Sequence, residues 1–283
     1  MKVKNKLVEF IKRETVLTVA VLLAIVSAVM IPPDGEYAGY IDFRTLSVLF
    51  CLMTVMAGLQ KLGVFRNIAK TLLRHTQNTM QLVEVLVLLC FFFSMIITND
   101  VALITFVPFT FIVLRLSGED SVKKLAVPVI VLQTIAANLG SMLTPIGNPQ
   151  NLYLYGKARM DAGSFVLLML PYSLLSLFLL VSCGAIVAKR SGIEARGTDV
   201  SLPEDERVEQ KKYLLPGYLL LFALCLLTVA HIVPYPLTLG IVILMVLILD
   251  RETMGKVDYS LLLTFVGFFI FIGNQKDFRH KNS

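Results

Sequence analysis

Charge is scarce in this chain. Of its 283 residues, 16% are Asp, Glu, Lys or Arg, against about 25% in a soluble globular protein. That argues against a soluble two-domain enzyme. Histidine is scarce and scattered, at His75, His231 and His280, so no metal site is expected. The four cysteines, Cys51, Cys90, Cys183 and Cys225, lie singly inside apolar runs without a CxxC pair. They read as small buried hydrophobes. An intramembrane enzyme needs a nucleophile with its base, or paired carboxylates. The chain has no HExxH, no GxSxG and no second membrane-embedded acid to face Asp100; Glu84 stands near a segment start and reads as interfacial. No catalytic residue and no cofactor is expected.

What the chain has in abundance is apolar sequence. Hydrophobic residues make up 56% of it, and the mean hydropathy is +0.76. Apolar runs fall near 15–31, 44–60, 82–97, 101–114, 125–143, 164–188, 213–231, 236–249 and 259–273. The expected class is an all-α polytopic membrane protein. The first run, "TVLTVAVLLAIVSAVMI", is long for the apolar part of a signal peptide and reads as a retained span. A span needs about 20 residues. The runs at 101–114 and 236–249 have only 14 each, about 21 Å of helix.

Loop charge sides the segments. Residues 2–13, 61–80, 115–124, 189–212 and 250–258 hold five, four, three, six and two Lys or Arg, while 32–44, 156–163 and 232–236 hold one, two and none. The first group belongs in the cytoplasm, together with the N-terminus, and the expected location is the cell membrane. The net charge of +6 follows from these loops and implies no nucleic-acid partner. The partner it implies is the lipid bilayer.

Loops 61–80 and 115–124 then share a side. The pair of segments between them, "SMIITNDVALITF" at its centre, must enter the membrane and return. Either it makes two full spans with a tight external turn, or a re-entrant hairpin over 82–114 that stops partway. The short return arm favours the hairpin. Its tip is Thr98, Asn99 and Asp100. Asp is a favoured N-cap, so Asp100 has a structural reading as the cap of the return arm. A carboxylate inside a membrane is also costly and generally functional.

A second interruption follows, in "ANLGSMLTPIGNPQNLYLY" from Ala137 to Tyr155. Pro145 and Pro149 lack an N–H and disfavour helix before them, and Gly147 permits unusual backbone angles. The expectation is a broken helix over 125–155 that unwinds at Thr144–Asn151. Unwound backbone survives in a membrane only where it lines a polar cavity or binds something. The two breaks can face each other, with half-helix N-termini for an anion and carbonyl or amide oxygens for a cation. On this reading Thr98, Asn99 and Asp100 of the tip and Thr144, Pro145, Gly147, Asn148 and Asn151 of the unwound segment line one site for an anion and a cation.

The chain also holds a weak internal repeat. "YIDFRTLSVLFCLMTVMAGLQKLGVF" (40–65) aligns with "KVDYSLLLTFVGFFIFIGNQKDF" (256–278) at Asp42 and Asp258, pairing Phe43 with Tyr259 and Leu46 with Leu262. By loop charge the two spans run in opposite directions, as inverted-repeat transporters require. The expected organisation is a first repeat over 1–188, with spans 15–31, 44–60 and 164–188, the hairpin and the broken helix; a solvated cytoplasmic linker over 189–212; and the start of a second repeat over 213–283.

These residues resemble the ion-transporter superfamily of citrate-transporter-like permeases, which includes divalent-anion symporters and arsenite permeases. That family carries a Ser-Asn-Thr type tip on a cytoplasmic hairpin and a Gly-Thr-Pro-Pro-Asn type unwound segment. The matching positions are Thr98-Asn99-Asp100 and Gly147-Asn148-Pro149-Gln150-Asn151. The resemblance covers most of 15–273. It implies a secondary transporter of a small anion such as a carboxylate, coupled to Na+ or H+, working by elevator-like alternating access. It also implies a cation site at Asn99 and Asn148, a substrate contact at Thr98 and Asn99, and a homodimer in the full-length family.

The departures are Thr98 for Ser and Asp100 for Thr in the tip, and Asn148 for Thr and Gln150 for the second Pro. An acidic tip leans towards the arsenite-efflux branch or a proton-coupled or antiporting permease. The second repeat stops after the 259–273 span, without a second tip, and reads as C-terminally truncated. A truncated membrane product that does not transport is the remaining alternative.

Single-cysteine variants at Thr98, Asp100 and Asn148 in a Cys-less background separate the two hairpin topologies. A re-entrant tip predicts labelling of 98 and 100 by an impermeant thiol reagent from the cytoplasmic side. Labelling only from outside identifies two ordinary spans.

Overall fold

The computed structural model describes residues 11–12, 14–34, 37–73, 76–193 and 212–282. Every regular element among them is helical: α1 (Thr15–Met30), α2 (Phe43–Lys61), α3 (Val64–Leu73), α4 (Thr79–Ile97), α5 (Asn99–Leu116), α6 (Glu119–Ser141), α7 (Pro149–Ala158), α8 (Ala162–Ser191), α9 (Leu215–Val229), α10 (Tyr235–Leu249) and α11 (Tyr259–Asn282), with a single turn at Tyr37–Tyr40 and short 3-10 turns at Lys212–Leu214 and Arg251–Lys256. Among the described residues, α2, α4, α5, α6 and α8 are long and apolar enough to cross a membrane, and four more helices are apolar but shorter. The protein is an all-α polytopic membrane protein.

Two lengths differ from the sequence reading. The return arm, counted as 14 apolar residues, is the 18-residue helix α5, about 27 Å long. The count missed Asn99 and Asp100 at its start and Arg115 and Leu116 at its end, because a helix does not stop where its apolar residues do. By contrast α10 stays short at 15 residues. The broken helix is longer at its front, starting at Glu119 where Gly118 ends the loop.

The charged stretch 61–80 contains a helix that the apolar runs do not reveal. In α3, Phe65, Ala69 and Leu73 are buried one turn apart, while Asn67 and Ile68 are exposed. A short helix with one apolar stripe and Arg66 and Lys70 on its flanks suits a membrane interface. It packs on both hairpin arms, α4 and α5. The expected linker 189–212 begins inside α8, which continues to Ser191 before Gly192 turns left-handed at φ 61°; residues 194–211 lie outside the described residues.

The contacts divide the chain into two compact units, one of residues 1–54 with 235–283 and one of 55–234, so that the division falls inside α2. The second unit is organised around α6, which packs against α4, α5 and α8, while α4 also packs against α5 and α8. Gln133 on α6 is fully buried; its amide donates to the Leu86 carbonyl of α4 at 2.9 Å and to the Thr110 hydroxyl of α5 at 2.8 Å. One side chain thus ties both hairpin arms to the helix behind them. Helix α8 exposes Leu167, Leu174, Leu175 and Phe178, a surface for acyl chains rather than water. Its N-cap Asp161 accepts from the Ser164 hydroxyl and N–H, and these bonds, the hydroxyl first, hold its carboxyl below the ordinary Asp range.

The first unit pairs α1 with α11. Gly267 admits the Ala20 backbone, a close approach that a side chain would oppose. Buried Asn274 donates to the Ser27 hydroxyl at 3.0 Å and the Tyr37 hydroxyl at 2.8 Å. The repeat alignment has a local counterpart here. Asp42 accepts from the Thr45 N–H at 3.0 Å and Asp258 from the Leu261 N–H at 2.9 Å, so both segments begin a helix with the same acidic cap.

At Gly140, α6 lies close against α4. A Cβ there would lie 2.0 Å from the Phe91 carbonyl oxygen and 2.6 Å from the Ser94 hydroxyl. Gly140→Ala is expected to cost about 1–3 kcal/mol of stability by overpacking. Gly240→Ala, with nothing within 4 Å, is expected to cost none. Thermal unfolding of the two purified variants checks the contrast.

Candidate functional site

The site starts from one broken hydrogen bond. In a continuous helix the Asn99 N–H would donate to the Met95 carbonyl. The chain breaks instead at Thr98, whose φ of 72° and ψ of 153° form a conformation that a β-branched residue adopts only at a cost of about 1–3 kcal/mol. Two backbone groups are orphaned, and the second break takes up both. The Asn99 N–H donates to the Gly147 carbonyl at 3.2 Å. The Thr144 hydroxyl donates to the Met95 carbonyl.

The second break has its own orphans at the end of α6. The Asn151 side-chain NH2 reaches back to the carbonyls of Ser141, Met142 and Thr144, each at 3.1 Å. Asn148 caps α7, its side-chain oxygen accepting from the Asn151 N–H at 2.7 Å, and its NH2 donates to the Ser141 hydroxyl at 3.2 Å. Pro149 takes the first helical position of α7, where a missing N–H is harmless. Gly147 is required by space: a Cβ would lie 2.1 Å from the Ser141 carbonyl oxygen.

The residues expected at the site therefore sit as follows. Asn99, Thr144 and Gly147, with Met95, belong to one hydrogen-bonded cluster that joins the two breaks. Thr98 precedes Asn99 in the chain and bonds within α5, its carbonyl accepting from the Ala102 N–H at 3.0 Å, and Asn148 and Asn151 adjoin the cluster through Ser141. Pro145 is buried in the turn between them. Asp100 does not cap α5. The N-cap is Thr98, without a side-chain cap bond, and Asp100 is exposed within the first turn, where the helix dipole favours a carboxylate. Most of the oxygens expected to face a cation carry protein bonds: the Gly147 and Thr144 carbonyls and the Asn148 side-chain oxygen all accept. The Asn99 side-chain oxygen is buried without a partner.

Two polar residues of α6 were missed. Asn138 accepts from the Asn99 NH2 at 3.2 Å, and Ser141 holds Asn148 and Asn151. Both stand in "ANLGS", an amide and a hydroxyl one turn apart in a helix otherwise apolar over 125–137 save Gln133 and Thr134, and polar residues at that depth are themselves a signal. The cluster brings together the N-termini of α5 and α7, with partial positive charge, and the C-termini of α4 and α6, with partial negative charge. Such a place can hold an anion and a cation side by side.

A model of the citrate transporter family matches residues 7–275. The inner membrane protein YbiR of Escherichia coli is 31% identical over 236 residues, which are 81% of this chain and 59% of that protein. An uncharacterized transporter of Methanocaldococcus jannaschii is 30% identical over 238 residues, 83% of this chain and 61% of that protein. The silicon efflux transporter LSI3 of Oryza sativa is 33% identical over 142 residues, 50% of this chain and 28% of that protein. The chain thus spans about three fifths of the length of the first two relatives.

Asn151 generates a test of the second break. Asn151→Ala orphans carbonyls that its NH2 serves, at about 1–3 kcal/mol for each group left buried and unpaired. Asn151→Asp places acceptors against acceptors and is expected to destabilise more than alanine, increasingly so as pH rises and the new carboxyl ionises. Thermal unfolding across pH reads both.

Proposed function

We propose, from the premise that the chain belongs to the citrate transporter family, that it provides the first substrate site of a secondary active transporter. The observation that carries the proposal is the exchange of hydrogen bonds between the two breaks, Asn99 N–H to Gly147 and Thr144 hydroxyl to Met95. It places two helix N-termini and a free amide oxygen at one point. The cargo is a small anion such as a carboxylate, attracted by the N-termini of α5 and α7 and touched by Thr98, Asn99, Pro145 and Asn148. The coupling ion is Na+ or H+, near Asn99, Asp100, Thr144, Gly147, Asn148 and Asn151.

Gln133 supports an elevator-like cycle, because it fastens both hairpin arms to α6. A unit so fastened moves as a body. We place the N-terminus in the cytoplasm and the protein in the cell membrane on loop charge, and propose a homodimer as the working assembly.

A second reading is favoured by Asp100. Its exposed carboxylate at the tip of α5 repels a fully charged anion, and one relative exports silicon. On this reading the cargo is an uncharged oxyacid, such as arsenite or silicic acid in their neutral forms, moved outward against protons.

Proteoliposome transport separates the readings. The first predicts uptake of a labelled carboxylate driven by an inward sodium or proton gradient, lost in Asn99→Ala while membrane insertion is kept. The second predicts oxyacid transport under a proton gradient, lost in Asp100→Asn. Normal transport by Asn99→Ala would overturn the site under either reading.

A further inference from the structure

Asn99 has two chemically opposite ends, and which end faces the site decides what the site can bind. An amide oxygen accepts and can ligate a cation, whereas an amide NH2 only donates. The hydrogen-bond chain through α6 fixes the choice. Asn138 donates its NH2 to the Thr134 carbonyl at 2.8 Å, and a carbonyl can only accept. The Asn138 side-chain oxygen must then point the other way, to Asn99, where it accepts from the Asn99 NH2 at 3.2 Å. That contact turns the Asn99 oxygen away from α6, and this is the oxygen buried without a protein partner. The order Thr134, Asn138, Asn99 has one self-consistent direction of donation. Reversing Asn99 alone would set oxygen against oxygen.

We infer that Asn138 is a positioning residue: through its hydrogen bond it holds Asn99 with the amide oxygen presented to the coupling cation. The inference rests on the cation-site reading of Asn99 above. Asn138 has no role in building the breaks themselves. Their orphaned groups are served by Asn99, Thr144, Gly147 and Asn151, and Asn138 is exposed, so its removal leaves the backbone exchange intact. Its effect falls on the direction of one amide.

The test is sodium-dependent thermal stabilisation of the purified full chain, titrated against choline at constant ionic strength. A bound cation raises the melting temperature with a midpoint set by its affinity. Asn138→Leu removes the acceptor and frees Asn99 to reverse. It is expected to shift the sodium midpoint upward by about tenfold or more, the usual cost of losing a group that orients a ligand, while the melting temperature in choline stays near wild type. Asn138→Asp keeps an acceptor for the Asn99 NH2 and is expected to hold or lower the midpoint. Asn138→Thr, smaller and polar, replaces the leucine variant should that not fold, with the same upward shift expected. An unchanged midpoint in Asn138→Leu, together with loss of the response in Asn99→Ala, overturns the inference and leaves the cation site standing. An unchanged midpoint in Asn99→Ala, or no sodium response in the wild type, overturns the sodium site itself and the inference with it.

Discussion

A polar backbone group in hydrocarbon must find a partner inside the protein, and this chain breaks two of its apolar helical segments side by side. Each break alone is untenable, since an N–H or C=O left unpaired there costs several kcal/mol. The solution is mutual. The hairpin's displaced N–H from Asn99 goes to Gly147 in the other break, and the Met95 carbonyl it abandons is taken by Thr144 from the same segment. The two breaks thus share two hydrogen bonds. A pair of local defects thereby becomes a single rigid feature, and the surrounding contacts serve to hold it in register.

That dependence orders the packing around it. Gly140 lets α6 approach the Phe91 carbonyl closely enough for the breaks to meet, and Gln133 anchors the two arms farther along the same helix. Thr98 is held at φ 72° because its neighbours on both sides are fixed. Strain of this kind persists only where the structure around it over-determines the backbone. Here the over-determination comes from Met95 on one side of Thr98 and Asn99 on the other, both bound to the facing segment.

The two breaks were legible because they are written in residue types that hydrocarbon excludes. Thr98-Asn99-Asp100 interrupts an apolar run, and Pro145, Gly147 and Pro149 interrupt another. Their partners were less legible. Asn151 looked like an oxygen donor to an ion, but its NH2 faces three carbonyls, and nothing in a sequence tells which end of an amide is used. Asp100 looked like a cap because Asp caps helices well, yet α5 begins two residues earlier than its apolar count suggests. Asn138 was visible in "ANLGS" and passed over, since a helix interior draws less attention than its ends. Helix α3 hid inside a basic loop because its apolar stripe is only three residues wide.

The same accounting narrows what the site can recognise. Most of its polar groups are committed to keeping the breaks intact: the Thr144 hydroxyl and carbonyl, the Gly147 carbonyl, the Asn148 oxygen and the Asn151 NH2 all have protein partners. Beside them stand the unpaired Asn99 oxygen, the exposed Asp100 carboxylate and the dipoles of two helix N-termini. The first two favour positive charge or a hydroxyl donor, and the dipoles favour negative charge. These demands are met together by a cation beside an anion, or by one neutral acid that both donates and accepts. They are not met by an anion alone, because the acceptor oxygen and the carboxylate would both oppose it.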